Sequence, residues 1–393
     1  MLVEIHLLQN HAPSNLNRDD TGSPKECVFG GVKRARISSQ CLKRSIRRSP
    51  VFEQALRGAL ATRTRRLPIL VRDALVEAGL AADIADVAAK KVSGFGTKEG
   101  KERDEPRTAQ TMFLTDADVA AVTEVLLAAA REAGSAAKLE KVAAKVLQEQ
   151  AQERGFRPIT PDVALFGRMV TSEAFRDVEA AAQVAHAIST HRVDHEFDYF
   201  TAVDDLQQPG EGDELEQGAG ADMLGDVEFN SACYYKYFSI DAGGLAENLT
   251  GRRSGRKEIP VEEATEATAT AARAVGALLR AVVTVTPTGK QNTFAAHQLP
   301  AAVLVEVRPE CTPVSYANAF VKPARASAQT DLVADSLEKL TAHVQALTSG
   351  FNLRADARWL LAPEHLSVAL PDMERVSDLD TLCARLQEVL SRG

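Results

Sequence analysis

Aromatic residues make up only 5% of this chain of 393 residues, and Trp359 is its single tryptophan. A core without many large rings must be filled by aliphatic side chains and by closely packed, Ala-rich helices. Cysteine is scarce too. Cys27, Cys41, Cys233, Cys311 and Cys383 are scattered, odd in number and contain no CxxC pair. That argues against a disulfide framework or a zinc knuckle and fits free thiols in a reducing cytoplasm. No apolar run approaches the roughly 20 residues of a membrane span. The opening Met-Leu-Val-Glu-Ile-His-Leu-Leu has an acid early and no basic leader, so it reads as a strand and not as a signal peptide. An excess of positive charge is also missing: 46 Lys and Arg stand against 54 Asp and Glu, a formal net charge of −8. Such a chain repels a polyanion at long range, but local charge decides contact within a Debye length. Apolar content of 45% and charged content of 25% suffice for two or three domains, or for one core with large insertions.

Residues 2–9 alternate with Val3, Ile5 and Leu7 on one face, which predicts an opening strand. Residues 10–31 read as a long irregular loop, of the kind that is functional or disordered. A short helix follows, capped by Ser38 or Ser39 and stopped at Ser49-Pro50. Residues 51–155 are mostly helical, over 77–92, 116–133 and 135–152, with a solvated break from Gly94 to Arg107. A strand is expected near 184–193. The aromatic run Phe197, Tyr199 and Phe200 leads into an acidic, Gly-rich stretch at 209–226, which has almost nothing to bury and should be mobile. Strands at 227–241 and 301–307 and helices at 261–283, 331–349 and 378–390 complete the chain. The order suits an α+β protein with a ferredoxin-like or RRM-like sheet and two large insertions.

The strongest local signal is basic. Between Cys27 and Phe52 there is no acid, but Lys33, Arg34, Arg36, Lys43, Arg44, Arg47 and Arg48 are all present. Lys43 with Arg47, and Arg44 with Arg48, are like-charge i,i+4 pairs that weaken a helix unless a polyanion lies against them. Ser38, Ser39 and Gln40 stand at the helix start, where free N–H groups favour a phosphate. The alternative is a solvated basic helix. Lys138, Lys141 and Lys145 have the spacing of one helix face and suit contact with DNA in any register, or else form the solvated face of an amphipathic helix. Lys290-Gln291-Asn292 forms a polar loop before a strand. His186, His191 and His195 with Asp194 match no metal signature and read as structural. Asp19-Asp20 could hold a metal, but such pairs more often turn a loop. No metal or cofactor is expected.

Several segments together resemble the CasC family, the multicopy backbone subunit of the type I-E CRISPR Cascade complex, within the RAMP superfamily. They are Ser14-Asn-Leu-Asn-Arg-Asp-Asp20, Phe29-Gly-Gly-Val-Lys-Arg-Ala-Arg-Ile-Ser-Ser-Gln-Cys-Leu-Lys-Arg44, Asp162–Met169, Asp198–Leu206, Gly289-Lys-Gln291 and Ala317-Asn-Ala-Phe320. The resemblance implies a hand-shaped molecule. Its RRM-like palm comprises residues 1–55, 183–193 and 227–393, its helical fingers residues 56–182 and its hairpin thumb residues 194–226. It implies that Arg18, Lys25, Ser38, Gln40, Lys43 and Arg47 hold the backbone of CRISPR RNA, together with Lys33, Arg34, Arg36, Ser39, Arg44, Arg168, Lys290 and Gln291. Met169 would insert beside a kink in the RNA, and Phe200 and Thr201 would lie against a displaced base. Lys138, Lys141 and Lys145 would face target DNA. The implied partners are CRISPR RNA, a target DNA strand, further copies of the chain in a head-to-tail helical filament and other Cascade subunits, with no membrane. The role is non-catalytic, in antiviral defence in the cytoplasm; the alternative is a RAMP-type endoribonuclease using Asp19, Asp20 or the histidines.

Overall fold

The computed structural model describes residues 1–57, 59–154, 159–202, 223–251, 259–366, 368, 370 and 372–392. The chain is mixed α and β, as its pattern predicts. Its strands are β1 (Leu2–Ser14), β2 (Glu26–Phe29), β3 (Val32–Ile37), β4 (Thr62–Thr64), β5 (Met112–Leu114), β6 (Ala182–Val184), β7 (Ala187–Ser189), β8 (Glu196–Ala202), β9 (Met223–Asp241), β10 (Ala302–Arg308), β11 (Ala357–Leu361) and β12 (Glu374–Arg375). Ten of them form one sheet in the order β12-β11-β10-β1-β9-β7-β3-β2, with β6 and β8 also paired to β9. The two longest strands run antiparallel from Leu2 opposite Asp241 to His11 opposite Ala232. The opening strand is longer than expected because β9 continues to pair with it as far as Ser14, whereas β10 stops at Leu8.

The helices are α1 (Ser39–Arg47), α2 (Pro50–Ala55), α3 (Leu67–Glu77), α4 (Ala82–Ser93), α5 (Asp116–Ala133), α6 (Ala136–Leu139), α7 (Ala144–Glu153), α8 (Pro161–Phe166), α9 (Ala242–Thr250), α10 (Val261–Thr284), α11 (Gln291–Phe294), α12 (Leu332–Phe351) and α13 (Leu379–Arg392). Val3, Ile5 and Leu7 of β1 face a core shared with α1, α10 and α13. Leu8, with Tyr235 and Tyr237 of β9, faces a second core closed by α12. The central strands are therefore buried on both faces. The second face also carries charge. Glu4, His6, Glu306, Arg308 and Arg358 are all buried, with Arg308 3.0 Å from both Glu4 and Glu306 and Arg358 2.7 Å from Glu306. Burial opposes ionisation of Glu306, but His6 and the two arginines hold its carboxyl well below the usual range.

A separate core joins β5 to α3–α7 through Leu67, Val71, Met112, Leu114, Leu126, Leu139 and Leu147, with Phe95 beside them. Two local expectations change here. The break from Gly94 is not solvated at its start, because Phe95 is fully buried and anchors it. The stretch 135–152 is not one helix: it stops after Leu139, turns through Lys141 and resumes at Ala144. Leu139 and Leu147 both lie in this core. Residues 209–222 of the expected acidic stretch lie outside the described residues.

Candidate nucleic-acid interface

The basic block folds into a hairpin followed by a helix. Phe29 lies opposite Val32, so β2 and β3 are joined by two residues, Gly30 and Gly31. Their φ values of 61° and 76° are left-handed, as a tight I′-type turn requires. Gly30 is needed for a second reason: a Cβ there would lie 2.1 Å from the Val321 carbonyl oxygen. The hairpin is thus docked on the turn after Ala317–Phe320. Ser38 caps α1, its Oγ accepting from Cys41 N at 3.2 Å. Its own N–H donates to Asn17 Oδ1 at 2.8 Å, which ties the first loop to the helix start.

That first loop presents Arg18 to solvent, and Lys25 is half-buried at its end. Asp19 shapes it, accepting from Thr21 N, Thr21 Oγ1 and Ser23 N at 2.8–3.0 Å. These bonds, the Thr21 hydroxyl first, lower the carboxyl's pKa. The Lys290 loop packs on the same segment: a Cβ on Gly289 would lie 2.4 Å from Leu16 O. Arg18, Lys25, Ser39, Gln40, Lys43, Arg44, Arg47, Lys290 and Gln291 are thereby gathered on connected elements. Gln291 turns its amide inward, donating to Pro287 O at 2.9 Å. Lys33 is exposed beside Glu26 at 3.3 Å. Arg36 donates to Glu26 O and lies 3.1 Å from His186 Nδ1. Burial is the leading cause that lowers the pKa of Lys43 and of Arg47.

Two expected contacts point elsewhere. Arg34 is fully buried and donates to the carbonyls of Phe29, Ser189 and Phe320. It fastens the hairpin to the sheet and to the turn that carries Phe320. Arg168 is buried as well, with Nη1 2.6 Å from Asp118 Oδ2 and further bonds to Arg176 O and Phe113 O. Both guanidinium groups are spent inside the protein, so neither faces a ligand. Lys138, Lys141 and Lys145 are all exposed but do not share one helix, since the chain breaks between α6 and α7.

The aromatic run lies on β8, whose residues Glu196–Ala202 pair with Met223–Phe229 of β9. Phe200 crosses over Gly225, where a Cβ would meet its ring at 2.5 Å. Phe197, Tyr199 and Phe200 are 54%, 71% and 44% exposed, and Met169 is 90% exposed, so these apolar groups contribute little to any core. Thr201 lies opposite Leu224. The histidines are engaged. His191 Nδ1 lies 2.8 Å from Arg192 O, and its Nε2 accepts from Cys233 N. His195 has Glu228 on Nδ1 at 2.6 Å and Glu26 near Nε2 at 3.5 Å.

The CT1975-like protein family model matches residues 3–385. The chain belongs to the CT1975-like protein family. This family member is similar to a chain of the solved "CRISPR RNA-guided surveillance complex, pre-nicking", with 29% identity over 99% of this chain and 100% of that one and a TM-score of 0.78. It is also similar to a chain of a solved "CRISPR RNA-guided surveillance complex", at 25% identity over 98% and 99% of the two chains and a TM-score of 0.57. No curated protein matches it.

Two cations of this CT1975-like chain escape a reading of the basic block. Lys236, on β9, is 1% exposed and donates to Gln9 Oε1. Burial lowers its pKa from 10.5 to about 8. A lysine inside Tyr-Tyr-Lys-Tyr-Phe was the available signal. Arg63 stands exposed on β4, in the run Arg63-Thr64-Arg65-Arg66.

Proposed function

We propose that this chain is a non-catalytic, CRISPR RNA-binding backbone subunit of a type I-E surveillance complex. The observation that carries the reading is the gathering of Arg18, Lys25, Lys43, Arg44, Arg47 and Lys290, none of them in an ion pair among the described residues, by the Ser38–Asn17 bond and the Gly289 contact. It is supported by similarity, end to end, to chains of RNA-guided surveillance complexes. In this reading the central strands of the sheet form an RRM-like palm, residues 56–182 are fingers and residues 194–226 are a thumb. Cations on α1 bind phosphates without reading sequence. The exposed Phe200 and Met169 unstack a base at regular intervals, and base pairing with the target DNA strand supplies recognition. Further copies join head to tail along the RNA, a contact that extends as a helix rather than closing.

The hydrogen bonds of His191, His195 and Asp19 favour this over an endoribonuclease that uses those three groups, since such an enzyme needs a ring nitrogen or carboxylate free to move a proton. The test is co-purification with CRISPR RNA followed by nuclease footprinting. Regularly spaced protection of uncut RNA is expected. Aperiodic protection by a monomer, or RNA cut at one position in a manner lost in Asp19→Ala or His191→Ala, would overturn the reading.

A further inference from the structure

Arg47 and Arg63 share one surface although they come from different layers of the fold. The guanidinium of Arg47, in the last turn of α1, lies 5.0 Å from the centre of the Phe113 ring on β5. Phe113 is directly opposite Arg63 in the β4–β5 pair, and directly opposed residues project from the same face of a sheet. Arg44 and Arg48 complete the group from α1. Burial, and then the charges of Arg63, Arg48 and Arg44, work against the protonated form of Arg47. Asp162 is the carboxylate whose charge reaches it, but that side chain accepts from Ala61 N, Thr160 Oγ1 and Val163 N.

Among the described residues, no carboxylate lies within 4.0 Å of Arg44, Arg47, Arg48 or Arg63, and none of their guanidinium groups donates a hydrogen bond. Four forks of donors are thus held together with no acceptor. This contrasts with Arg34 and Arg168, each of which donates three hydrogen bonds inside the protein. A guanidinium laid against a ring keeps its in-plane N–H groups free, and that planar fork matches two oxygens of a phosphate.

We infer that Arg44, Arg47, Arg48 and Arg63 form one phosphate-binding site for single-stranded RNA, which carries the RNA path off α1 and onto β4 of the helical block. Arg63 and Arg48 are its new ligands, and the site rests on the RNA-binding reading above. It makes the helical block part of the guide-binding surface at the point where that block joins the sheet.

The test uses the full chain and a labelled single-stranded RNA, with affinity measured across a salt series for the wild type, Arg63→Gln and Arg48→Gln. Each variant should bind roughly tenfold more weakly at low salt, the worth of a charged hydrogen bond. Each should also lower the slope of log K against log salt by about 0.7. The melting temperature of the free variants should stay level or rise, because a like charge has been removed. Unchanged affinity and slope beside a wild type that binds would overturn this inference alone. So would a melting temperature lowered by several degrees, which marks a structural arginine. A wild type that binds no RNA would sink the functional reading and this site with it.

Discussion

The Arg168–Asp118 pair offers the sharpest test of where a cation in this fold does its work. Its side chains are 4% and 3% exposed and meet at 2.6 Å. Asp118 also closes the capping box of α5, accepting from Thr115 N and Thr115 Oγ1 at 3.0 Å. Asp118→Asn keeps the volume and the cap acceptor but removes the charge. The guanidinium then keeps its bonds to the carbonyls of Phe113 and Arg176 but has lost the charge that balances it. Leaving one charge of a buried pair unmatched costs about 3–5 kcal/mol. Arg168→Met should also destabilise the chain, and the double variant should cost less than the sum, with a coupling of roughly 0.5–3 kcal/mol. Urea unfolding followed by circular dichroism measures this. RNA affinity of each variant, taken at a temperature where it is folded, should stay within about twofold of wild type, since a side chain without exposed donors removes no phosphate contact. A stability loss below about 1 kcal/mol, together with a tenfold loss of RNA affinity, would refute the internal role and restore Arg168 as a ligand.

Other outcomes follow from the same geometry. Gly30→Ala should destabilise the chain well beyond Gly31→Ala in thermal melts, since both need a left-handed φ but only the first meets the Val321 carbonyl; equal losses would remove the docking argument. Lys236 has a folded-state pKa of about 8 against 10.5 for the free side chain. Below pH 8 both states are protonated and the burial penalty is complete; between pH 8 and 10.5 only the unfolded state holds the proton, so stability rises with pH. Relative to Lys236→Met, the wild type should therefore gain up to about 3 kcal/mol from pH 7 to pH 10, and a flat difference would show that the ammonium is solvated. Phe200→Ala, at a side chain 44% exposed, should change stability by no more than about 0.5 kcal/mol while erasing the regular footprint on RNA. An intact footprint would take Phe200 out of the interface.

Much of the local structure was legible because its causes lie within a few residues. Ser38 and Pro50 bound α1 through cap and ring geometry, and the aromatic-rich run around Phe229–Ile240 marks the longest strand; the β2–β3 hairpin, by contrast, begins inside the stretch 10–31 that the sequence assigns to an irregular loop, because its pairing rests on docking against distant segments. The concentration of cations between Cys27 and Phe52 is likewise a property of the sequence alone. What a given cation does was settled only by tertiary structure. Arg34 and Arg36 are two residues apart on one strand, yet Arg34 donates to carbonyls 155 and 286 residues away while Arg36 stays half exposed. The face a strand residue shows is local, but its acceptors belong to whichever segment packs there. Arg63 joins Arg47 only because β4 pairs with β5 and brings Phe113 between them. The lysines near 140 lose their common helix because the chain turns between α6 and α7. Sequence determined which elements form and where the charge is concentrated, since propensity, caps and composition act over short range. Folding decided which charges are spent inside and which remain for a ligand, since that depends on acceptors supplied from distant parts of the chain.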